Sequence, residues 1–131
     1  MTPTEQGLDL ARKVLKVAFG ATAFLAGLDK FFGLLADWPA YLAPWMSAML
    51  PISAAAFMKV VGVVEMAAGL LVLSNLTRLG AWVVAAWLML IALTLVSSGR
   101  FLDVAVRDLV MACGAFTLAK LSEWSSSRVA R

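Results

Sequence analysis

The sequence predicts an all-α integral membrane protein, a bundle of four transmembrane helices with both termini in the cytoplasm. Hydrophobic residues make up 63% of the 131 residues and charged residues only 15%. Mean hydropathy is +0.91, and a soluble domain of this length needs a polar surface that such a composition does not supply. Apolar runs of about 20 residues recur, each long enough to cross a hydrocarbon core. We therefore expect one membrane domain over residues 1–131 in contact with a lipid bilayer.

The chain contains no histidine and one cysteine. These counts exclude His-ligated haem, His-containing zinc or copper sites, and Ser-His or Cys-His catalytic pairs. Cys113 lies in an apolar stretch without a partner for a disulfide or CxxC couple, so we expect it to be a packing residue. No metal site, covalent cofactor or catalytic constellation is predicted, and enzyme activity is left open. The net charge of +3 fits cytoplasmic anchoring better than nucleic-acid binding.

The first helix is predicted over residues 3–35, with its membrane part at 14–35. The stretch TPTE at residues 2–5 is a capping-box pattern with proline at the first helical position. Basic residues before an apolar run are also typical of a signal peptide. Because this run ends in the charged pair Asp29 and Lys30, we interpret it as a retained helix.

The other helices are predicted at residues 54–74, 79–98 and 101–122, the last with its membrane part at 101–120. Their connections, NLTR and SSGR, are short, so consecutive helices should be antiparallel neighbours. The first connection, residues 36–53, is longer and mixes tryptophan and tyrosine with three prolines. Aromatic rings suit the headgroup level, so we expect an interfacial segment on the outer surface, and favour a plain connector over a functional lid.

Basic residues are concentrated at one end of the predicted bundle. They flank the first helix at its N-terminus and occupy the second connection and the C-terminal tail: Arg12, Lys13, Lys16, Arg78, Lys120, Arg128 and Arg131. The first connection has none and the third has only Arg100. The positive-inside rule then places both termini in the cytoplasm.

Six charged residues lie inside the predicted spans, and their formal charges cancel. They are Asp29, Lys30, Lys59, Glu65, Arg107 and Asp108. At about 1.5 Å per residue, five of them lie roughly 8–10 Å inside the outer helix ends, and Glu65 lies about 16 Å in. A charge at a helix centre costs on the order of 3 kcal/mol, so we expect all six to face inward and pair. Glycines one turn to either side of Glu65 would let another helix approach closely.

Two interpretations of this cluster stand side by side: an ion network that fixes helix register, and a polar ligand site open to the outer face. In the second interpretation, all six residues are candidate ligand contacts. Lys30 and Arg107 would donate hydrogen bonds to a carbonyl or an anion, and Glu65 would accept a proton. No ionisable residue continues below Glu65, which disfavours a proton pathway. Trp82 and Trp87 of the third helix are interpreted as packing residues.

Three segments resemble the DoxX family of small bacterial membrane proteins: Arg12 with the following helix ending in GLDKFF, then VEMAAGLLVLSNLTRLGA, then AVRDLVMACGA. The residues that match family patterns are Gly27, Lys30, Glu65, Gly69, Arg78, Arg107 and Asp108. The resemblance covers residues 12–120 and implies a four-helix bundle in the bacterial inner membrane. It also implies association with oxidoreductases, since the family takes its name from a subunit of a thiosulfate:quinone oxidoreductase. Related thiol-redox bundles depend on cysteine pairs, which this chain lacks.

The leading functional hypothesis is a non-catalytic membrane subunit of a respiratory or redox-defence oxidoreductase. Such a subunit would anchor a partner and contribute to a quinone or small-ligand site in the outer half of the bundle. One alternative is a stand-alone small-molecule carrier, which would need a water path through the charge-free inner half. The other is a purely structural scaffold subunit. Protein partners in a membrane complex or a homo-oligomer are expected, and nucleic acid is not.

Overall fold

The computed structural model describes residues 1–129 and is all-helical over that range, which confirms the predicted all-α class. The elements in chain order are α1 Pro3–Asp29, a 3₁₀ segment Trp38–Tyr41, α2 Pro44–Met49, α3 Ala54–Leu73, α4 Thr77–Ser98 and α5 Leu102–Val129. The predicted cytoplasmic charge of Arg131 lies outside the described residues.

α1 begins with a capping box. The Thr2 hydroxyl accepts a hydrogen bond from the Glu5 backbone N–H at 3.1 Å, and the Glu5 carboxylate accepts one from the Thr2 N–H at 3.2 Å. Pro3 occupies the first helical position, where its missing N–H leaves no bond unmade. The sequence pattern at this end of the helix is therefore realised as predicted.

α1 ends at Asp29 rather than at the predicted residue 35. The Asp29 carboxylate accepts hydrogen bonds from the backbone N–H groups of Leu34 and Leu35, at 2.9 and 2.8 Å, which bends the chain back over the helix end. Gly33 adopts φ of 70°, a left-handed conformation that glycine tolerates best, and makes this reversal possible.

The three later helices lie near their predicted ranges of 54–74, 79–98 and 101–122. α4 starts two residues early because the Thr77 hydroxyl donates to the carbonyl oxygen of Val72 at 2.8 Å and closes the connection tightly. α5 continues to Val129, well past the predicted end at residue 122.

α1 and α3 form one close helix pair, joined by glycines. A Cβ built on Gly27 would lie 2.5 Å from the carbonyl oxygen of Gly62, and one built on Gly69 would lie 2.7 Å from that of Gly20. A side chain at these positions would force the two backbones apart. The glycines predicted to permit close approach around Glu65 therefore face α1.

α4 and α5 form the second close pair, joined by a stripe of alanines on α5. Ala105, Ala112, Ala115 and Ala119 recur at helical spacing and are at most 5% exposed. Asp108 occupies the same stripe, so its side chain faces the inside of the bundle.

α1 and α5 run antiparallel where the two pairs meet. A Cβ on Gly114 would lie 2.9 Å from the Phe19 ring, which therefore fills the space the glycine leaves. Near the termini, Glu5 forms an ion pair with Arg128. The last turns of α5 thus align with the first turns of α1.

The core lies in the half of the bundle that contains the termini. We call residues 12–20, 68–85 and 112–125 the packed half, and residues 21–67 and 86–111 the cavity half. The core side chains are Val72, Ala81, Val84, Ala115, Leu118 and Ala119, with Leu15 and Phe19 packed against them. This half is close-packed and, around its centre, free of charge.

Charged side chains beyond this core pair with one another at the terminal end. Lys13 contacts Asp9 at 2.9 Å, and Lys120 contacts Glu123 at 3.2 Å. The hydrogen bond from Lys13 lowers the pKa of Asp9, and the one from Lys120 lowers the pKa of Glu123. Both carboxylates are therefore held in their charged form.

Two helices of the described chain are long and apolar enough to cross a membrane by length and composition. They are α3, with a mean hydropathy of 2.0 over its best window, and α4, with 2.3. α1 and α5 carry more charged residues. Those of α1 include Arg12, Lys13 and Lys16, and those of α5 include Asp103, Arg107 and Asp108. All four lie side by side in one bundle.

Candidate ligand-binding cavity

The turn after α1 brings Lys30 against α3. Because Gly62 has no side chain, the end of α1 passes directly over it, and the Lys30 Cβ lies 3.1 Å from where a Cβ on Gly62 would stand. Glu65 lies one turn further along α3 and is 8% exposed. The glycine contact that joins α1 to α3 therefore also places a basic and an acidic side chain next to each other.

Lys30 and Glu65 form a buried ion pair. The Lys30 Nζ lies 2.7 Å from Glu65 Oε2, and the two side chains are 5% and 11% exposed. Trp87 of α4 donates from Nε1 to the other oxygen, Oε1, at 3.2 Å, and the Lys30 ammonium lies 3.8 Å from the centre of the Trp38 ring. Each charge thus has two partners, which offsets the cost of its removal from water.

Asp108 is a third charged group at the same place. It is 7% exposed and lines the same cavity as Lys30 and Glu65. Its neighbour Arg107 instead contacts Asp103, at 3.9 Å. Within residues 1–129, no hydrogen bond or ion pair engages the Asp108 carboxyl group.

A cavity of about 570 Å³ separates the two helix pairs, mainly in the cavity half, and reaches Phe19 and Val84 at the edge of the packed half. All four long helices and residues 36–53 contribute to its lining, which is mostly apolar and aromatic. The charged lining residues are Lys30, Glu65, Arg107 and Asp108. An apolar cavity of several hundred Å³ with a few convergent polar groups is typical of a small-molecule site.

The cavity reaches the side of the bundle between α3 and α4. Val64 of α3 and Leu90 of α4 line it, yet they are 41% and 57% exposed. Both residues are apolar, so this opening faces the surroundings of the bundle with hydrocarbon side chains.

One end of the cavity is covered by the connection between α1 and α3, and we call residues 34–49 the cover. The Asp29 carboxylate holds its beginning, accepting hydrogen bonds from the Leu34 and Leu35 N–H groups and from the Trp38 indole Nε1 at 2.9 Å. Trp38 in turn lies over the Lys30 ammonium. Asp29 therefore positions the cover, and the cover positions an aromatic ring on the ion pair.

The far part of the cover contacts the turn between α4 and α5. Trp45 donates from Nε1 to the Ser97 hydroxyl at 3.0 Å, and the Tyr41 and Phe101 ring centres lie 4.4 Å apart. Tyr41 and Trp45 also line the cavity. The aromatic connection expected to be a plain connector thus closes one end of the cavity.

Two of the six predicted site residues do not join the buried cluster. Lys59 is exposed, because it lies off the α3 stripe that carries Glu65. Arg107 borders the cavity, but its side chain is 74% exposed and pairs with Asp103, one helical turn earlier on α5. The expectation that all six charges face inward is therefore wrong for these two residues. Both lie within two turns of a helix start, where a long basic side chain can extend its charged end away from the apolar interior of the bundle.

The remaining four residues divide into two groups. Lys30, Glu65 and Asp108 come together at the cavity, whereas Asp29 is used to hold the cover. Sequence reasoning missed Trp87, which we expected only to pack. A half-buried indole N–H needs an acceptor, and the carboxylate at the middle of the preceding helix was the available signal.

Residues 1–129 contain no cluster of three or more His, Cys, Asp or Glu side chains that could hold a metal ion. Cys113 is exposed on α5 and has no disulfide partner. The buried charged groups of the cavity are therefore one ammonium and two carboxyl groups, and the exposed Arg107 guanidinium lies at its border.

The fold and the cavity define a helical membrane protein with a ligand-sized space between two helix pairs. A family model described as DoxX matches residues 11–98, and the chain belongs to this family of membrane proteins. This confirms the resemblance seen in the sequence. Comparisons with curated proteins and with solved structures found no match.

Proposed function

We propose that this chain is a four-span membrane subunit of a bacterial oxidoreductase and that its cavity holds a quinone headgroup. The observation that carries the proposal is the buried Lys30–Glu65 pair, which faces an apolar cavity that opens sideways between α3 and α4. A quinone has a polar ring with two carbonyl oxygens and an apolar tail, and these features match the polar end and the side opening of the cavity.

The four-span arrangement is supported by the packing of α1 and α5. Both helices run alongside α3 and α4, which could each cross a membrane, and both expose apolar residues such as Val17, Leu25, Val110 and Phe116. A helix packed along a membrane span, with apolar residues outside, shares the hydrocarbon layer with it.

Orientation follows from the basic residues. The terminal end carries Arg12, Lys13, Lys16, Arg78, Lys120 and Arg128, whereas the turn at the opposite end of α4 carries Arg100. The positive-inside rule favours a cytoplasmic terminal end in the bacterial inner membrane, with the cover on the outer face.

The close packing of the packed half disfavours a carrier function for this protein. A carrier needs access to its site from both sides of the membrane, and the core residues Val72 and Leu118 are 0% exposed. No charged residue lies in that core. We therefore place the ligand in the outer half, with entry from the membrane, and assign electron transfer to a partner protein.

Within the cavity, the Lys30 ammonium is the hydrogen-bond donor to a ligand oxygen. Glu65 holds the ammonium in place, and Trp87 holds Glu65 through its indole N–H. Trp38 over the ammonium excludes water from it. The chain contributes binding and orientation in this account, and the redox chemistry belongs to the quinone and the partner.

The test is native mass spectrometry of the protein extracted gently from its own membrane, with bound small molecules and partners identified. Wild type is compared with Lys30→Met and with Lys59→Met, a matched control that removes an exposed positive charge from the same half. We expect quinone with wild type and Lys59→Met and its loss with Lys30→Met. Equal quinone in all three proteins, or none in wild type, would contradict the proposed site.

A co-purifying oxidoreductase would support the subunit role. A bare protein that carries a small molecule other than quinone would move the assignment to a ligand-binding protein or carrier. A scaffold role would be favoured if the complex kept its full electron-transfer activity when Lys30 and Glu65 were both replaced by uncharged residues of similar volume.

A further inference from the structure

We infer that Asp108 carries a proton when the cavity binds its ligand and donates that hydrogen to a ligand oxygen. Binding of a neutral carbonyl compound is then linked to one proton. The inference rests on the proposed function for its ligand class, but the state of Asp108 follows from its surroundings.

Asp108 is buried and unpartnered. Its alanine neighbours on the α5 stripe turn it into the bundle, where it is 7% exposed, and its carboxyl group borders the cavity. A carboxyl group without a hydrogen-bond partner in the protein is free to bond to whatever occupies that space. No other described carboxyl group combines burial with this lack of a partner: Glu65 has Lys30 and Trp87, and Asp29 has the cover.

The charged groups near Asp108 are contributed by α3 and by the residue that follows α1. Lys30, just after α1, and Glu65 on α3 neutralise each other at 2.7 Å. α4 has no charged residue after Arg78, at its opposite end, and on α5 itself Arg107 is directed to Asp103. The net charge of the groups around the cavity is therefore −1 whenever Asp108 is ionised.

An uncompensated carboxylate in apolar surroundings is costly, and a proton removes that cost without any movement of the protein. The protonated group is then a hydrogen-bond donor. Together with the Lys30 ammonium it gives the cavity two donors on different helices. Two donors suit a ligand with two carbonyl oxygens, and no covalent bond is made or broken in this binding step.

The protonation state of Asp108 is tested first, in the absence of ligand. Infrared spectra of wild type and Asp108→Asn in lipid nanodiscs at neutral pH are subtracted from each other. We expect the variant to lack one protonated-carboxyl band. Loss of a carboxylate band instead would show that Asp108 is ionised and would overturn the inference.

Binding is tested second, with a short-chain ubiquinone analogue as the probe and tryptophan fluorescence as the readout. If only the protonated form binds, the wild-type Kd rises by about tenfold per pH unit once Asp108 loses its proton. Asp108→Asn, whose amide still donates, should bind at every pH without this slope. Lys59→Gln, which removes an exposed positive charge outside the cavity lining, should keep the wild-type slope.

The two proposals fail in different ways. A wild-type slope that persists in Asp108→Asn, with the probe still bound, would overturn the role of Asp108 and leave the quinone site standing. Absence of probe binding at every pH in wild type would overturn the quinone site, and with it the link between proton and ligand, even where the infrared band is found.

Discussion

The two halves of this bundle use the same four helices in opposite ways. In the packed half, small and branched side chains form the core, and the core residues Val72 and Leu118 are fully buried. In the cavity half, a space of about 570 Å³ remains, and the ion pair of Lys30 and Glu65 stands beside it. We expect the packed half to supply much of the cohesion, and the charges of the cavity half to contribute little to holding the helices together.

Two kinds of ion pair occur within the cavity half. The Lys30–Glu65 pair is buried at 2.7 Å, whereas the Arg107–Asp103 pair is exposed at 3.9 Å. A buried pair is often no more stable than apolar side chains of the same volume, but the loss of one partner is severe. An exposed pair contributes little in either case.

Glu65→Leu should destabilise the protein by about 3 kcal/mol, because Lys30 would be left buried without its carboxylate. The value lies at the low end for such a loss, since Asp108 borders the same cavity and can partly replace Glu65. Asp103→Leu, the matched change in the exposed pair, should cost less than about 0.5 kcal/mol. Reversible unfolding in mixed detergent micelles measures both, and equal costs would contradict the contrast between the pairs.

Val72→Ala should cost about 2 kcal/mol, because its side chain is 0% exposed and its loss leaves a hole in the close-packed core. Val61→Ala removes the same atoms from the wall of the existing cavity and should cost less than about 1 kcal/mol. The same unfolding assay checks the pair. A larger cost at Val61 would show that the cavity half is packed as tightly as the other.

Asp29→Ala should release the cover. The carboxylate accepts three hydrogen bonds, from Leu34, Leu35 and the Trp38 indole, and hydrogen bonds to a charged acceptor are stronger than those between neutral groups. We expect faster hydrogen exchange in residues 34–49 and little change in α4 and α5. Asp37→Ala, which removes an exposed carboxylate in the same segment, is the control. An unaltered exchange rate in the cover would refute the positioning role.

The smallest effect concerns pH. The pKa values of Asp9 and Glu123 are lowered below their ordinary values of 3.8 and 4.5, chiefly by hydrogen bonds from Lys13 and Lys120. A lowered folded-state pKa gives stability that is present above the ordinary value and is lost as the pH falls through the folded value. The double variant Asp9→Asn and Glu123→Gln should therefore flatten the acid side of the melting profile. An unchanged acid limb would show that these contacts are inactive in solution.

Much of the fold could be predicted from the sequence because the signals are local. Apolar runs, short polar connections and the capping box each depend on a few adjacent residues, and they located α1 and α3 to α5. The end of α1 could not be read in the same way. It depends on the Asp29 carboxylate reaching forward to Leu34 and Leu35, a contact that forms only after the chain has turned.

The sequence placed several of the charged residues near one another, but it did not predict which of them would pair. The predicted depth along each helix placed several basic residues at a similar level, nearer than Glu65 to the outer helix ends. Depth alone does not determine which of them contacts Glu65. The choice depends on the rotation of α1 against α3, which the contact of Gly27 with Gly62 sets. That contact brings Lys30 inward, while Lys59, on α3 itself, remains on the outer surface. Long-range packing of this kind has no signature in hydropathy.

The most direct test of the account replaces the ion pair as a unit. The double variant Lys30→Met and Glu65→Leu is compared with wild type in two assays, unfolding in mixed micelles and binding of a short-chain quinone in nanodiscs. The account predicts a free energy of unfolding within about 1 kcal/mol of wild type, because the packed half holds the bundle, together with loss of quinone binding. A variant that unfolds far more easily, or that binds quinone as well as wild type, would contradict the claim that the pair serves the ligand rather than the fold.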